Sequence, residues 1–464
     1  MLRQLSFREM SRTNREVGFC PRYLRKALAT LLGLIILSSG ALLLASCSAS
    51  IGREKVVTFW AMGSEGEHLG PLIKKFEKLN PNIHIDLQVI PWSSAHDKLL
   101  TAYAGNATPD ICQLGNTWIS ELHAMNALEP LDSLISKSDV IKKGNYFRGI
   151  WETNEVGNKV YGIPWYVETR ALFYRKDLLS AVGMHQPPKN WDELLKAAKL
   201  LTSYSTKLNG RPCYGIYLPV NPGLEWDEIF FAWQNDGNIL KDDDCYSNVL
   251  SQNDREAFDY YVKFFKLGYS PMEANATTNL YQAFASGYVG MFISGPWNIN
   301  ELRNRVGYLN GKWSVAPLPV NKNRDANAGG SSLVIFRDSK EKEADWKLIE
   351  FLSLPENQLG FYRRTFDLPA VKSAWSEGSR HSSGQDSTLL GNPLISAFYT
   401  QLESSRPFPR IPEWELVTDK MGQWIETVVW GKNTLDQALI GMDKDINRVL
   451  EKRRWLKSTG KMVD

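Results

Sequence analysis

Cysteine and histidine are scarce in this chain of 464 residues, at five and six respectively. Cys20, Cys47, Cys112, Cys213 and Cys245 form no Cys-x-x-Cys or His-Cys spacing, and the histidines are scattered, so a zinc site of the usual kind is excluded. Neither a metal nor another cofactor is expected. Clustered basic residues are also missing from the body of the chain. The formal net charge is +3, yet residues 1–26 alone hold Arg3, Arg8, Arg12, Arg15, Arg22, Arg25 and Lys26 against Glu9 and Glu16. The rest is close to neutral and carries no footprint for nucleic acid. Gly63-Ser-Glu-Gly66 lacks the lysine of a phosphate-cradling loop. No motif singles out two catalytic carboxylates, and no internal repeat is visible.

What is present begins with a leader. Ala27–Ser46 is almost wholly apolar or small and follows the basic segment, the order of a secretory signal. An uncleaved anchor is the rival, because the apolar stretch is long enough to span a bilayer. Leu44-Ala-Ser-Cys47 resembles a bacterial lipobox, which implies lipidation at Cys47. Residues 47–55 then read as a tether. Outside the cytoplasm a thiol pair can oxidise, and whether Cys213 and Cys245 do so stays open. Cys112 lies in an apolar run and reads as a small core residue.

Beyond the tether the pattern is α/β. Val56-Val-Thr-Phe-Trp60 is a β-branched and aromatic run, predicted as a buried strand. Leu69, Leu72, Ile73, Phe76 and Leu79 share one helical face, and Ile83, Ile85, Leu87 and Val89 alternate as a second strand. Such a strand–helix–strand unit favours a parallel sheet, with ligands at the strands' carboxyl ends. That rule selects Ser64 and Glu65 after the first strand. It also selects Asn116, Thr117 and Trp118 after the third, Ile111–Leu114. Asn116 can donate and accept, and Trp118 offers a flat face. Tyr161-Gly-Ile-Pro-Trp-Tyr-Val-Glu168 sets Trp165 and Tyr166 beside one acid, Glu168. Aromatic faces next to a carboxylate suit a polyhydroxylated ligand, and a buried turn followed by a core strand is the alternative.

Several stretches together resemble the extracytoplasmic solute-binding proteins of carbohydrate ABC transporters, the maltose-binding-protein-like family. They are Phe76-Glu-Lys-Leu-Asn-Pro-Asn-Ile83, Tyr161–Asp177, Pro187-Pro-Lys-Asn-Trp-Asp-Glu-Leu194 and Asn279–Trp297, which ends in Ser294-Gly-Pro-Trp297. The likeness runs from about Val56 to the last helix. It implies a two-lobed fold, each lobe a mostly parallel sheet flanked by helices, with a ligand cleft between. The implied division is residues 56–166 and 331–366 for the first lobe, and 167–330 and 367–464 for the second. It further implies that Glu168 and the Asn116–Trp118 loop face a sugar, and that Trp297 sits over the cleft.

Other candidates are weaker in pattern. Gly329 and Gly330 would allow backbone to approach a ligand closely. Trp226 and Trp233 lie in the aromatic stretch 209–238. Arg363 lies where the resemblance places the last lobe crossing, and Trp414 closes the Pro-rich run Arg406–Trp414. The expected function is capture of a mono- or oligosaccharide and its delivery to an ABC permease, by a monomer held to the membrane through lipid and without catalysis. Two alternatives stand beside it. A secreted glycoside hydrolase would have to draw on acids such as Glu65, Glu168 and Glu413, set roughly 5–9.5 Å apart. A sugar sensor or adhesin would use the same fold without transport.

Overall fold

The computed structural model describes residues 54–204, 213–220, 227–272, 279–377, 389 and 391–460. The leader, Cys47 and Trp226 lie outside the described residues.

Nine strands form the two principal sheets: β1 Lys55–Met62, β2 Ile83–Ile90, β3 Ile111–Gly115, β4 Ile163–Glu168, β5 Ala171–Arg175, β6 Met291–Ser294, β7 Trp313–Ala316, β8 Gly329–Ile335 and β9 Leu368–Pro369. The β-branched start of β1 pairs in parallel with β2, from Lys55 opposite Ile83 to Met62 opposite Ile90. Between them the chain forms two helices, Gly63–His68 and Gly70–Leu79. Pro71 breaks the run where its missing N–H costs no helical bond. Leu72, Ile73 and Phe76 are buried as the spacing predicts, whereas Leu79 ends the helix exposed.

The first sheet has the order β9-β4-β8-β3-β1-β2. The second has the order β6-β5-β7. Each lobe was expected to hold a mostly parallel sheet; in the first, β1, β2 and β3 pair in parallel but the other three of its five pairings are antiparallel, and in the second no pairing is parallel. Both neighbours of β5 run antiparallel to it. The cause is connectivity. Strands joined by helical crossovers within one lobe stay parallel, but a strand entering from the other lobe runs against them. β5 continues β4 after only Thr169 and Arg170, and it is inserted between β6 and β7. In the same way β8 returns from the second lobe and is inserted antiparallel between β3 and β4.

Helices pack around both sheets. Phe76, Trp346, Phe351 and Phe361 cover the first, and Leu194, Phe258, Trp414 and Met421 belong to the second lobe's apolar core. Tyr362–Ala370 was expected as the last crossing. It instead stays with the first sheet: Pro355–Thr365 is a helix, and β9 pairs with β4 through Leu368 opposite Val167. The thiols of Cys213 and Cys245 turn to separate carbonyls, of Leu201 and Asp243, and Cys245 is unbridged, so that pair forms no disulfide. Among the described residues no helix is long and apolar enough to cross a membrane.

Candidate binding cleft

A cavity of about 320 Å³ lies where the two sheets meet. Its first-lobe wall comes from carboxyl ends of strands. After β1 the helix Gly63–His68 supplies Ser64 and Glu65; after β2 comes Trp92; Gly115 ends β3, and Asn116, Thr117 and Trp118 follow it. Tyr166 and Glu168 project from the end of β4. The other wall is Arg170 from the crossing, Trp297 after β6, and Phe408; Asn327 lies on the returning chain, and Gly329, Gly330 and Ser331 open β8 in the first sheet.

Of the two acids that line the cavity, Glu65 is the more deeply held. Its carboxylate accepts from Tyr166 Oη at 2.7 Å and from Trp92 Nε1 at 3.2 Å. Burial, the largest influence, lifts its pKa above the ordinary 4.5; the hydrogen bonds from Tyr166 and Trp92 oppose the rise, and the charge of Glu168 adds to it. The Tyr166 hydroxyl in turn accepts from Ser331 Oγ at 3.0 Å and Gln113 Nε2 at 3.3 Å. Burial and the nearby acids push its pKa well above the ordinary value, so it stays a protonated donor. Asp367 adds a third buried acid behind them, also raised by burial first and then by Glu65. Glu168 keeps partial solvent access and accepts from Arg170 Nη1 at 3.1 Å.

Arg170 does two things at once. Besides pairing with Glu168, its guanidinium lies 5.0 Å from the centre of the Trp297 ring, a cation–π arrangement. Gly295 permits the pose of that ring: a Cβ there would sit 1.8 Å from Trp297 Cζ3. Gly330 is needed for a different reason. Its φ is +130°, and a Cβ would meet the Tyr166 carbonyl oxygen at 2.2 Å. On the facing wall Trp118 packs against Trp92, with centroids 5.6 Å apart.

Two buried amides line the cavity with polar atoms left over. Asn116 accepts from Ser332 Oγ at 3.0 Å, yet its Nδ2 has no partner. Asn327 is 1% exposed, and neither its Nδ2 nor its Oδ1 has a partner. An orphaned buried polar group costs about 1–3 kcal/mol, and it points to something that completes it.

The cavity gathers Ser64, Glu65, Asn116, Thr117, Trp118, Tyr166, Glu168, Trp297, Gly329 and Gly330 from among the residues selected in the sequence. Four others are elsewhere. Trp165 is the neighbour of Tyr166 on a strand, so it points to the opposite face, where it stacks on Phe361 at 4.5 Å. Arg363 is exposed in the last turn of the helix Pro355–Thr365. Trp414 is fully buried behind Phe408, and Trp233 is core beside the same ring. Trp92, Gly115, Arg170, Asn327, Ser331 and Phe408 were missed. Trp92 was findable, since it follows the second strand just as Ser64 and Asn116 follow theirs.

Both rims are bridged. Arg410 Nη1 donates to the carbonyls of Glu152 at 2.9 Å and Glu155 at 3.3 Å. On the other side Asn300 Nδ2 donates to the Arg364 carbonyl at 3.0 Å.

Known proteins share this fold. The model of the bacterial extracellular solute-binding protein family matches residues 63–359. The solved structure of the sugar-binding protein MalE from Xanthomonas citri is 39% identical and superposes with a TM-score of 0.76, covering 87% of this chain and 99% of that one. A binding protein of Brucella abortus is 26% identical over 90% of this chain and 98% of its own length. The diacetylchitobiose binding protein DasA of Streptomyces coelicolor is 24% identical over 83% of this chain and 87% of its own.

Proposed function

The chain belongs to the bacterial extracellular solute-binding protein family, and from that premise we propose that it is the sugar-capturing component of an ABC importer. The observation that carries the sugar reading is the make-up of the cavity: flat rings on both walls, with orphaned amides and a partly accessible carboxylate between them. Rings cover the apolar C–H faces of a sugar, while amides and carboxylates take its hydroxyls. An anionic ligand is disfavoured, because among the described lining residues Glu65 and Glu168 stand against one cation, Arg170, which already pairs with Glu168. The likeness to a sugar-binding MalE supports the same reading.

In this reading the first lobe is built on the β1 sheet and the second on the β5 sheet. The chain crosses at Thr169–Arg170, at Asn327–Ala328, and once more after Trp375. Capture proceeds by hinge closure, with the rim contacts of Arg410 and Asn300 made in the closed form. The closed protein then presents its sugar to a membrane permease. Cys47 carries a lipid anchor that keeps the monomer near that permease outside the cytoplasm.

Turnover is not part of this function. A carboxyl of raised pKa beside a second acid is a pattern that glycosidases use. Here Glu65 is occupied by Tyr166 and Trp92, and Glu168 by Arg170. The deciding experiment is thermal shift followed by calorimetric titration of purified protein. The panel is mono- to trisaccharides of glucose, galactose, mannose, xylose and N-acetylglucosamine, with glycerol phosphate as the anionic comparison. Saturable stabilisation by at least one neutral sugar is expected, with that sugar recovered intact by chromatography. Stabilisation by the phosphate alone refutes the reading.

A further inference from the structure

We infer that Asn327 and Glu168 form a clamp that reads two adjacent hydroxyls of the ligand, and that this clamp sets which sugar is accepted. The inference rests on the carbohydrate reading above and deepens it. Its basis is one point in space. A Cβ on Gly329 would lie 2.6 Å from Asn327 Nδ2 and 3.1 Å from Glu168 Oε1, so amide and carboxylate flank the same bare Cα. Both side chains line the cavity.

Their chemistry is complementary. The Asn327 amide offers two N–H donors and a carbonyl acceptor, none of them used within the protein. Glu168 is an acceptor whose oxygens offer about four lone-pair sites, and Arg170 Nη1 takes one. A hydroxyl both donates and accepts. Of two neighbouring hydroxyls, one can give its proton to Glu168 and the other can receive from Asn327. A single hydroxyl can engage only part of this set. An epimer that turns one hydroxyl away leaves the buried amide orphaned, as it is without ligand.

Position makes the pair selective as well as attractive. Asn327 is held in a two-residue strand, Ala326–Asn327, that pairs in parallel with Ser405–Arg406. Glu168 is fixed by β4 opposite Gly329. Two anchored strands leave the clamp little freedom to adapt to a different hydroxyl geometry. Any side chain at Gly329 would fill the gap between them.

The test begins with the sugar of the panel that binds best. Its complete monodeoxy series is titrated calorimetrically against wild type and Asn327→Ala. In wild type, removing either of two neighbouring hydroxyls should weaken binding about tenfold or more. In Asn327→Ala the parent sugar should bind about tenfold more weakly, and one of those two deoxy penalties should shrink below about threefold. Binding by Asn327→Ala equal to wild type overturns the clamp and leaves the carbohydrate reading intact. A wild-type series with no sensitive neighbouring pair does the same and needs no variant, so it decides the matter even if Asn327→Ala misfolds. No binding of any panel sugar by wild type overturns the carbohydrate reading and the clamp with it.

Discussion

Replacing Gly295 by alanine adds one methyl group, and its effect should be felt by a ligand it never touches. The added Cβ would lie 1.8 Å from Cζ3 and 2.2 Å from Cη2 of Trp297, so the indole must swing away. The three atoms nearest that methyl all belong to this one half-buried side chain, and no positive φ stands in the way of alanine at 295. The fold should therefore tolerate the change. The ligand should not, because the ring that covers it has moved. About 40 Å² of apolar face lost at about 25 cal/mol per Å² is about 1 kcal/mol. Loss of stacking geometry adds about 1 kcal/mol. Together these correspond to about a thirtyfold rise in Kd. Trp297→Ala should lose a similar amount, and the double variant should be no weaker than Trp297→Ala alone, since the clash is with the ring itself. Calorimetric titration of the four proteins with the best panel sugar, beside melting curves without sugar, checks this. Wild-type affinity in Gly295→Ala would show that the ring's pose is irrelevant to binding. A collapsed melting temperature would instead place Trp297 in the core.

Three further predictions concern other parts of the chain. Burial works against a charge on His96, but its 2.7 Å contact with Glu121 and the nearby charge of Glu415 outweigh it and raise its pKa above 6.5. Its contribution to stability is then fully present below pH 6.5 and fades as pH climbs through the raised value. The difference in melting temperature between wild type and His96→Gln should shrink over that window, and a gap that grows with pH contradicts the argument. Asp345 is fully buried, and burial pushes its pKa up to about 7 despite the Ser339 hydroxyl at 2.5 Å. Holding it ionised at pH 8 costs on the order of 4 kcal/mol as an upper bound. Asp345→Asn should raise the melting temperature more at pH 8 than at pH 5, and equal gains at both would refute the cause given. Finally, Cys47→Ala should leave an unlipidated precursor in cells; incorporation of labelled fatty acid at the wild-type level argues against anchoring through Cys47.

Much of the first sheet was legible because its strands are local signals. The β-branched run at Val56 and the alternation from Ile83 announce themselves within a few residues. The cavity was legible wherever one rule applied, namely that loops after parallel strands face the ligand, and this places Glu65, Asn116 and Trp118. Trp165 shows the limit. Both aromatics of the pair look alike in sequence, and only strand pairing decides that Tyr166 faces the cavity and Trp165 faces Phe361. Trp414 fails for a related reason: the Pro-rich run was the correct stretch, but Phe408 is the ring that reaches the cavity. Asn327 had no local signal at all. Its environment is assembled from Gly329, Glu168 and the Ser405–Arg406 strand, 78 residues or more away in the last case, and only the folded chain brings them together.

The links between the sheets are short on their cavity side. Glu168, Thr169 and Arg170 lead out, Asn327, Ala328 and Gly329 lead back, and four of these six residues line the cleft. The residues that must flex for the lobes to part, Thr169–Arg170 and Ala328, are therefore flanked by groups a ligand would meet. A substitution that retunes recognition at any of these four positions simultaneously alters a joint. Selection for a new sugar would then also change how long the protein stays shut, and hence how fast cargo is released. Specificity and residence time should drift together among descendants of this chain, and an engineer who swaps one will have to measure the other.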